Sequence, residues 1–326
     1  MKFSESIIDT IGSTPLIRLH RVLHPGTQPL VLAKTESFNP GGSAKDRIAK
    51  AMLLAAEREG QIHAGGTVVE PTSGNTGVGL AIIGASRGYR MVFTMPEKMS
   101  KDKELILKAY GAEVIRTPTN VPPEDERSYY KVAEKVARAT PGSFVPNQFA
   151  NPNNPAAHFA STGPEIWKDT DGEITHFVAG IGTGGTISGT ARYFKAKNPD
   201  IKIIGVDPEG SIYHHVFNGT PPESHPYKVE GTGEDFIPAT VDLDIMDDII
   251  VVNDADAFRM TRRLAREEGI LAGGTSGASV FAAARVAQNL KKDDLLVVLL
   301  PDTGRNYLTT IFNDEWMKNN GFADVI

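Results

Sequence analysis

Three glycine-rich loops carry the residues of this chain that are best suited to chemistry. The first, residues 39–45 (NPGGSAK), leads into a predicted helix, so Lys45 falls in its first turn. A cation is disfavoured at that positive end of the helix dipole, so the Lys45 ammonium should lose its proton easily. A neutral amine is what carbonyl addition and Schiff-base formation require. A solvated surface lysine after a glycine turn would give the same local pattern.

The second loop, residues 71–77 (PTSGNTG), follows a predicted strand and opens a helix. Hydroxyl groups and backbone N–H groups at a helix N-terminus form a receptacle for a carboxylate or a phosphate. Simple N-capping by Thr72 or Ser73 would produce the same residue types. The loop therefore indicates an anion site without defining the anion.

The third loop, residues 180–186 (GIGTGGT), also joins a strand to a helix. Its glycines allow backbone N–H groups to close around a phosphate at the start of that helix. Gly180, Gly182 and Gly185, with Asp207 at the end of the next strand, also match the dinucleotide fingerprint. A nicotinamide oxidoreductase is therefore an alternative, but it leaves Lys45 and the second loop unexplained. A bilobal solute-binding protein is another alternative, and it has no need for Lys45.

Composition excludes several other classes of function. The 326 residues include 34 Lys plus Arg against 40 Asp plus Glu, a net charge of −6 without the basic field that nucleic-acid binding needs. Cysteine is absent, which excludes disulfides and thiol nucleophiles. His214, His215 and His225 lack a metal-ligand spacing, so no metal is predicted. The chain shows neither a signal-peptide pattern nor a membrane span, and we expect a cytoplasmic protein without a membrane partner.

The elements that position these loops alternate between strands and helices, which predicts an α/β fold with mostly parallel sheets. Ten strands exceed a comfortable single twisted sheet, so two sheets are expected. The predicted strands are 16–19, 31–34, 67–70, 91–95, 113–117, 144–147, 177–181, 202–206, 249–252 and 295–300. The predicted helices are 46–59, 76–87, 101–110, 124–139, 156–168, 187–197, 255–267 and 278–289.

Taken together, the three loops resemble the signature of the cysteine synthase and cystathionine β-synthase family of fold-type II pyridoxal-phosphate enzymes. The resemblance runs from residues 10–16 (TIGSTPL) to Trp316, and it is closest to the cystathionine β-synthase branch. The segments that favour this branch are 118–120 (PTN), 207–211 (DPEGS), 230–238 (EGTGEDFIP), 301–307 (PDTGRNY) and 312–317 (FNDEWM).

The resemblance implies a role for each matching residue. Lys45 would form the Schiff base with pyridoxal 5'-phosphate and act as the catalytic base, and Asn75 would bond the ring hydroxyl oxygen. The phosphate would be held by Gly182, Thr183, Gly184, Gly185 and Thr186, and the substrate carboxylate by Thr72, Ser73, Thr76 and Gln148. Thr303 would meet the pyridine nitrogen. A neutral hydroxyl there leaves the nitrogen largely unprotonated, which favours loss of a β-substituent over transamination.

The resemblance also implies an architecture and a reaction. The fold would be tryptophan synthase β-like, with a smaller mobile domain at 42–148 and a larger, phosphate-binding domain made of 10–41 with 149–326. The reaction would be a β-replacement on L-serine through an aminoacrylate, giving cystathionine with homocysteine. Cysteine synthesis from sulfide and serine or O-acetylserine is the alternative. A homodimer without haem is expected. Glu234 departs from the tyrosine of the animal enzymes, so recognition of the thiol substrate stays open.

Overall fold

The computed structural model describes residues 1, 3–72, 74–97, 99–122 and 124–326. Within them the chain divides into two compact units, Met1–Ile11 with Asn39–Asn154, and Gly12–Phe38 with Pro155–Ile326. The predicted domain limits and the mobility of the smaller domain stay predictions. Ser73, one of the predicted site residues, lies outside the described residues.

The strands alternate with helices along the chain, as the α/β prediction requires. The strands are β1 (Leu16–Arg18), β2 (Leu30–Thr35), β3 (Thr67–Pro71), β4 (Arg90–Pro96), β5 (Glu113–Thr117), β6 (His176–Gly180), β7 (Lys202–Pro208), β8 (Asp248–Val252) and β9 (Leu295–Leu300). The helices are α1 (Lys45–Arg58), α2 (Asn75–Arg87), α3 (Lys101–Ala109), α4 (Tyr129–Ala139), α5 (Asn153–Ala160), α6 (Thr162–Asp169), α7 (Gly185–Lys197), α8 (Tyr213–Phe217), α9 (Asp254–Arg263), α10 (Gly274–Ala287) and α11 (Asp314–Asn319).

Short helical turns complete the chain. Those of the 3-10 type cover Ile7–Thr10, Glu36–Phe38, Leu243–Ile245, Gly304–Tyr307 and Ala323–Val325, and a π-helical turn at Leu264–Glu268 extends α9.

The first unit is built on a parallel sheet in the order β3-β4-β5. Side chains of β4 alternate between its two faces, as the pleat requires. Phe93 packs with Leu53 of α1 and Leu80 of α2, whereas Val92 packs with Ala133 of α4. The three loops of interest follow strands or open helices, and two of them, at the starts of α1 and α2, belong to this unit.

The second unit contains a six-stranded sheet in the order β1-β2-β9-β6-β7-β8. Only the β1–β2 pair is antiparallel. The central strand β9 is buried on both faces: Leu296 and Val298 belong to one core cluster, and Leu295 and Val297 to the other. This burial explains why β9 is an uninterrupted apolar run. The prediction of two mostly parallel sheets is confirmed.

Three predicted elements were wrong in detail. Segment 144–147 is not a strand; it makes one isolated bridge, between Phe144 and Val68. The helix predicted at 124–139 begins only at Tyr129, because Ser128 is its N-cap and accepts the N–H of Lys131. The helix predicted at 156–168 is two helices, interrupted at Ser161, whose hydroxyl donates to the carbonyl of Ala157.

Candidate active site

Lys45 is the first residue of α1, as the sequence predicts. The preceding loop folds back on the helix, because the Asp46 carboxylate accepts the N–H of Gly41. A Cβ on Gly41 would collide with the Asp46 carboxylate, so a larger residue would displace the group that holds the loop. Gly42 has a φ of +77°, the left-handed conformation that glycine adopts without strain. The loop residues therefore set the point at which α1 begins, and with it the half-buried Lys45.

The start of α2 lies beside Lys45. A Cβ on Gly79 of α2 would be 3.0 Å from the Lys45 carbonyl oxygen and 3.2 Å from Asp46 Cα. Asn75 stands four residues before Gly79, on the same face of α2 and one turn nearer its N-terminus. Thr72 and Thr76 are buried at this N-terminus, where the N-cap is Gly74. The structure therefore brings Lys45, Thr72, Asn75 and Thr76 into one region of the first unit.

Gln148 joins the same region. Thr76 Oγ1 donates to Gln148 Oε1 at 2.6 Å, although 72 residues separate the two along the chain. The backbone before Gln148 turns sharply, since Asn147 has a φ of +50°. The Glu70 carboxylate holds this turn by accepting the N–H of Asn147 at 3.0 Å and of Gln148 at 3.3 Å. Burial raises the pKa of Glu70 to about 7, and the two backbone N–H donors act in the opposite direction.

The third loop belongs to the second unit, between β6 and α7. Gly184, the N-cap of α7, has a φ of +81°, and a Cβ there would lie 2.4 Å from Val241 Cβ. A Cβ on Gly182 would lie 2.7 Å from the carbonyl oxygen of Gly231. Both glycines are therefore required by the close approach of residues 231–241 to the loop.

Three hydroxyl groups fix the backbone carbonyls of this loop. Tyr213 Oη donates to Gly182 O at 2.6 Å, Thr232 Oγ1 to Ile181 O at 3.1 Å, and Thr240 Oγ1 to Thr183 O. Tyr213 is fully buried, and burial raises the pKa of its phenol far above the usual range. These bonds fix the loop that precedes α7, and the N–H groups at a helix N-terminus attract an anion, so we call this loop the anion cradle.

His158 supports the last residue of the loop and was missed by the sequence analysis. Its imidazole is fully buried, with Nε2 3.1 Å from Thr186 Oγ1 and Nδ1 2.8 Å from Thr162 Oγ1. These contacts orient the Thr186 hydroxyl. A lone histidine inside a helical pattern carries no sequence signal for this role, because its partner Thr186 is 28 residues away.

Thr303 lies in a turn that packs against the start of α10. It forms a bridge with Ala272, and Gly273 N donates to Asp302 O. Thr303 Oγ1 accepts the N–H of Arg305 at 3.3 Å, so the hydroxyl acts as an N-cap and its hydrogen can still donate elsewhere. The neighbouring Asp302 is buried and accepts a 2.7 Å hydrogen bond from Tyr307 Oη.

Asp207 closes β7, where the dinucleotide fingerprint would place a ribose ligand. It is 0% exposed, and its carboxylate accepts the N–H of His214 at 2.9 Å. Burial raises its pKa to about 6. A buried carboxylate that holds the turn into α8 is inaccessible to a ribose hydroxyl, so the geometry argues against the nicotinamide alternative.

Metal-binding clusters and membrane-spanning helices are both absent from residues 1, 3–72, 74–97, 99–122 and 124–326. In that part of the chain no group of three or more His, Asp or Glu side chains is arranged to hold a metal ion. Across the same residues, every helix is too short or too polar to cross a membrane.

The residues present fit pyridoxal phosphate. The loop at 182–186 brings glycine backbone to the N-terminus of α7, where backbone N–H groups and the helix dipole suit a phosphate. Lys45 at a helix start supplies an amine for a carbonyl group, and Asn75 begins α2 one turn before Gly79, whose backbone approaches that of Lys45. The predicted site residues that the structure describes thus lie in both units, Lys45, Thr72, Asn75, Thr76 and Gln148 in the first and 182–186 and Thr303 in the second.

Comparison with known proteins agrees with this chemistry. Residues 7–302 match the family model described as "Pyridoxal-phosphate dependent enzyme", and the chain belongs to that family. The cofactor of the family is pyridoxal phosphate.

Individual relatives are more specific. The chain is 46% identical over 322 residues to the cystathionine beta-synthase of Dictyostelium discoideum, covering 98% of this chain and 64% of that protein. The chain thus spans less than two thirds of the length of this relative. Among solved structures, a hydrogen sulfide-producing enzyme from Fusobacterium nucleatum is 39% identical, with a TM-score of 0.86 over 94% of this chain and 98% of its own. The structure of an O-ureido-L-serine synthase is 35% identical in sequence, with a TM-score of 0.88. The match covers 97% of this chain and 100% of that one.

Proposed function

We propose that this protein is a pyridoxal-phosphate-dependent lyase that condenses L-serine with L-homocysteine to give cystathionine. The observation that carries the proposal is the set of Lys45 at the start of α1, Asn75 and Thr76 at the start of α2, and Gln148, which accepts the Thr76 hydroxyl. It combines an amine with a receptacle for an amino-acid carboxylate. The 46% identity to a cystathionine beta-synthase over nearly the whole chain supports the choice of reaction.

The residues of this chain bind the serine substrate and transfer its α-proton. The first-turn N–H groups of α2, with Thr72, Thr76 and Gln148, bind the serine carboxylate and so orient the Cα–H bond. Lys45 Nζ removes the α-proton. Pyridoxal phosphate held in this site would supply an electron sink for the pair left at Cα.

The reaction balances over the two substrates. The serine Cβ–O bond breaks and a Cβ–S bond forms with the thiol, so the hydroxyl group and the thiol proton leave as water. Lys45 returns its proton to Cα at the end of the cycle. The phosphate of the cofactor would be held by Gly182, Thr183, Gly184, Gly185 and Thr186. The Thr303 hydroxyl would form a hydrogen bond with the pyridine nitrogen of the cofactor.

A second candidate function is cysteine synthesis from serine or O-acetylserine with sulfide. The observation that favours it is the 0.86 TM-score to the structure of a hydrogen sulfide-producing enzyme. The same residues would serve both reactions, because only the leaving group and the thiol differ.

The assembly and location belong to the same proposal. We propose a cytoplasmic homodimer, supported by family resemblance rather than by a particular surface of the chain. Sedimentation should give a species of twice the 35.1 kDa chain mass, and a stable species of the single chain mass would contradict it.

A substrate matrix on the purified holoenzyme tests the proposed reaction. Serine and O-acetylserine are each combined with homocysteine and with sulfide, and initial rates are measured for every pair. The proposal expects the highest kcat/KM for serine with homocysteine, with cystathionine as product. A higher value for sulfide would favour the second candidate. No turnover with any pair would contradict both.

A further inference from the structure

Glu70 is a buried carboxylate near the end of β3, and only 2% of it is exposed. Segment 144–148 runs beside β3 for two ladder bonds, Phe144 N to Thr67 O at 2.8 Å and Val69 N to Phe144 O at 2.9 Å. Beyond them the segment turns away at Asn147, in the left-handed conformation. The side chain of Glu70, rather than the backbone of β3, accepts the N–H groups of Asn147 and Gln148.

These two bonds fix the backbone from which the Gln148 side chain projects. Gln148 O accepts the side-chain amide of Asn154 at 2.8 Å, and Gln148 Oε1 accepts the Thr76 hydroxyl at 2.6 Å. With Oε1 occupied by a donor, the Nε2 group at the other end of the amide is the donor that can face a carboxylate. Glu70 therefore controls the position of a group that we assign to substrate binding.

Burying a charged carboxylate at position 70 costs free energy, which a purely structural residue would not need. Its burial raises its pKa to about 7, so the fold tolerates its charge at an energetic expense. A glutamine would be cheaper to bury, but it can accept with one oxygen only and turns its NH₂ group toward the second N–H. An ionised glutamate is the side chain of this length that accepts both N–H groups at once.

We propose that Glu70 is a positioning residue of the active site, which orients the Gln148 amide and thereby sets the affinity for the carboxylate of the amino-acid substrate. The inference rests on the proposed function, because it takes Gln148 and Thr76 as substrate ligands. It assigns Glu70 no contact with substrate or cofactor.

The test compares Glu70→Gln, Gln148→Ala and the double variant as holoenzymes. Two quantities are measured: the steady-state constants for serine and homocysteine, and the dissociation constant of serine from the change in cofactor absorption. Glu70→Gln should raise both the KM and the dissociation constant of serine roughly fivefold to tenfold, the effect of about one hydrogen bond. The kcat and the KM of homocysteine should stay within about twofold, because those steps do not use the carboxylate contact.

The double variant provides the coupling test. If Glu70 acts through Gln148, the double variant should bind serine no more weakly than Gln148→Ala alone. Val69→Ala is the matched control: it removes a buried side chain from the same strand but leaves the Glu70 bonds in place, so the serine constants should match those of the wild type.

Hydrogen exchange on the wild-type holoenzyme gives a measurement that does not depend on the folding of any variant. The Asn147 and Gln148 amides should be protected from exchange, although Asn147 lies on the exposed side of the turn. Exchange of both amides at the unprotected rate would overturn the inference.

The remaining outcomes distinguish failure of the Glu70 positioning role from failure of the proposed function. Serine constants of Glu70→Gln equal to those of the wild type, or additive effects of Glu70→Gln and Gln148→Ala, would overturn the positioning role while leaving the proposed function intact. A wild-type holoenzyme without a saturable response to serine would overturn the proposed function, and the inference with it.

Discussion

The hydroxyl of Tyr213 donates a 2.6 Å hydrogen bond to the backbone carbonyl of Gly182, from a side chain that is fully buried. The bond fixes the backbone of Gly182 in the anion cradle at the start of α7. Because a buried carbonyl that loses its donor suffers a desolvation penalty, this contact stabilises the loop conformation that we assign to phosphate binding.

Tyr213→Phe should therefore weaken cofactor binding. If the hydrogen bond stabilises the cofactor-binding loop conformation by about 1 kcal/mol, its loss raises the dissociation constant of pyridoxal phosphate roughly fivefold. The constant is measured by titrating the apo-protein with the cofactor. Tyr193→Phe is the control, since Tyr193 belongs to α7 and its ring packs against Phe159 and Phe194. Equal constants for Tyr213→Phe and the wild type would show that the loop does not depend on this bond.

Gly184→Ala should lower cofactor affinity more than Tyr213→Phe does. The φ of +81° disfavours a side chain, and the new Cβ would meet Val241 at 2.4 Å, so the loop must shift. We expect a dissociation constant raised at least about tenfold, from a cost above about 1.4 kcal/mol.

Gly219→Ala is the matched control for Gly184→Ala. Gly219 has a φ of +66°, and a Cβ added there would find nothing within 4 Å, so the substitution carries the conformational cost without the collision. It should lower the free energy of unfolding by about 1 kcal/mol and leave cofactor affinity unchanged. A cofactor affinity lowered equally in both variants would remove Gly184 from the phosphate site.

The elements of this fold follow from hydrophobic periodicity, but the contacts that complete the site do not. The apolar run of β9 and the glycine loops before α1, α2 and α7 are local features, and each was placed correctly. The Glu70–Gln148 contact spans 78 residues and the Tyr213–Gly182 contact spans 31. No spacing rule connects such residues, because their meeting depends on how strands and loops pack.

One failed strand prediction illustrates the same limit. Segment 144–147 begins with the strand formers Phe144 and Val145 and does lie beside β3, but it leaves after a single bridge because Asn147 turns the chain. The side chain that stabilises this turn, Glu70, belongs to a different part of the sequence. The sequence pattern thus located the segment without indicating that a carboxylate replaces the backbone ladder there.

The titration of Glu70 should be visible in stability. Its pKa is raised from 4.5 to about 7 in the folded protein, so the folded state binds the proton more tightly than the unfolded chain does. The stabilising contribution of neutral Glu70 is fully present below pH 4.5 and is lost as the pH rises through 7, by about 3 kcal/mol in total.

Chemical denaturation of the wild type and Glu70→Gln between about pH 5 and 8 measures this contribution. The free energy of unfolding of the wild type should fall relative to that of the variant as the pH rises, since glutamine does not titrate. Parallel curves for the two proteins would mean that the Glu70 pKa is not raised.

Thr303 is expected to act through its hydroxyl hydrogen as well as its capping oxygen. Thr303→Ser keeps both functions and should retain most activity. Thr303→Asp keeps a cap for Arg305 N but offers a carboxylate to the pyridine nitrogen, which should alter the cofactor absorption and lower the rate of β-replacement. If Thr303 serves only as the cap, the spectrum and the rate of Thr303→Asp will match those of the wild type.

The covalent position of the cofactor tests the account most directly. Borohydride reduction of the holoenzyme followed by peptide mass analysis should place the pyridoxyl group on Lys45. Lys50→Ala is the matched control on the same helix, where the Lys50 ammonium donates to Ile8 O at 3.0 Å, and it should leave the labelling unchanged. Lys45→Ala should abolish both the label and turnover while the protein stays folded. A pyridoxyl group on any other lysine, or none in cofactor-saturated protein, would contradict the assignment of Lys45 and with it the proposed site.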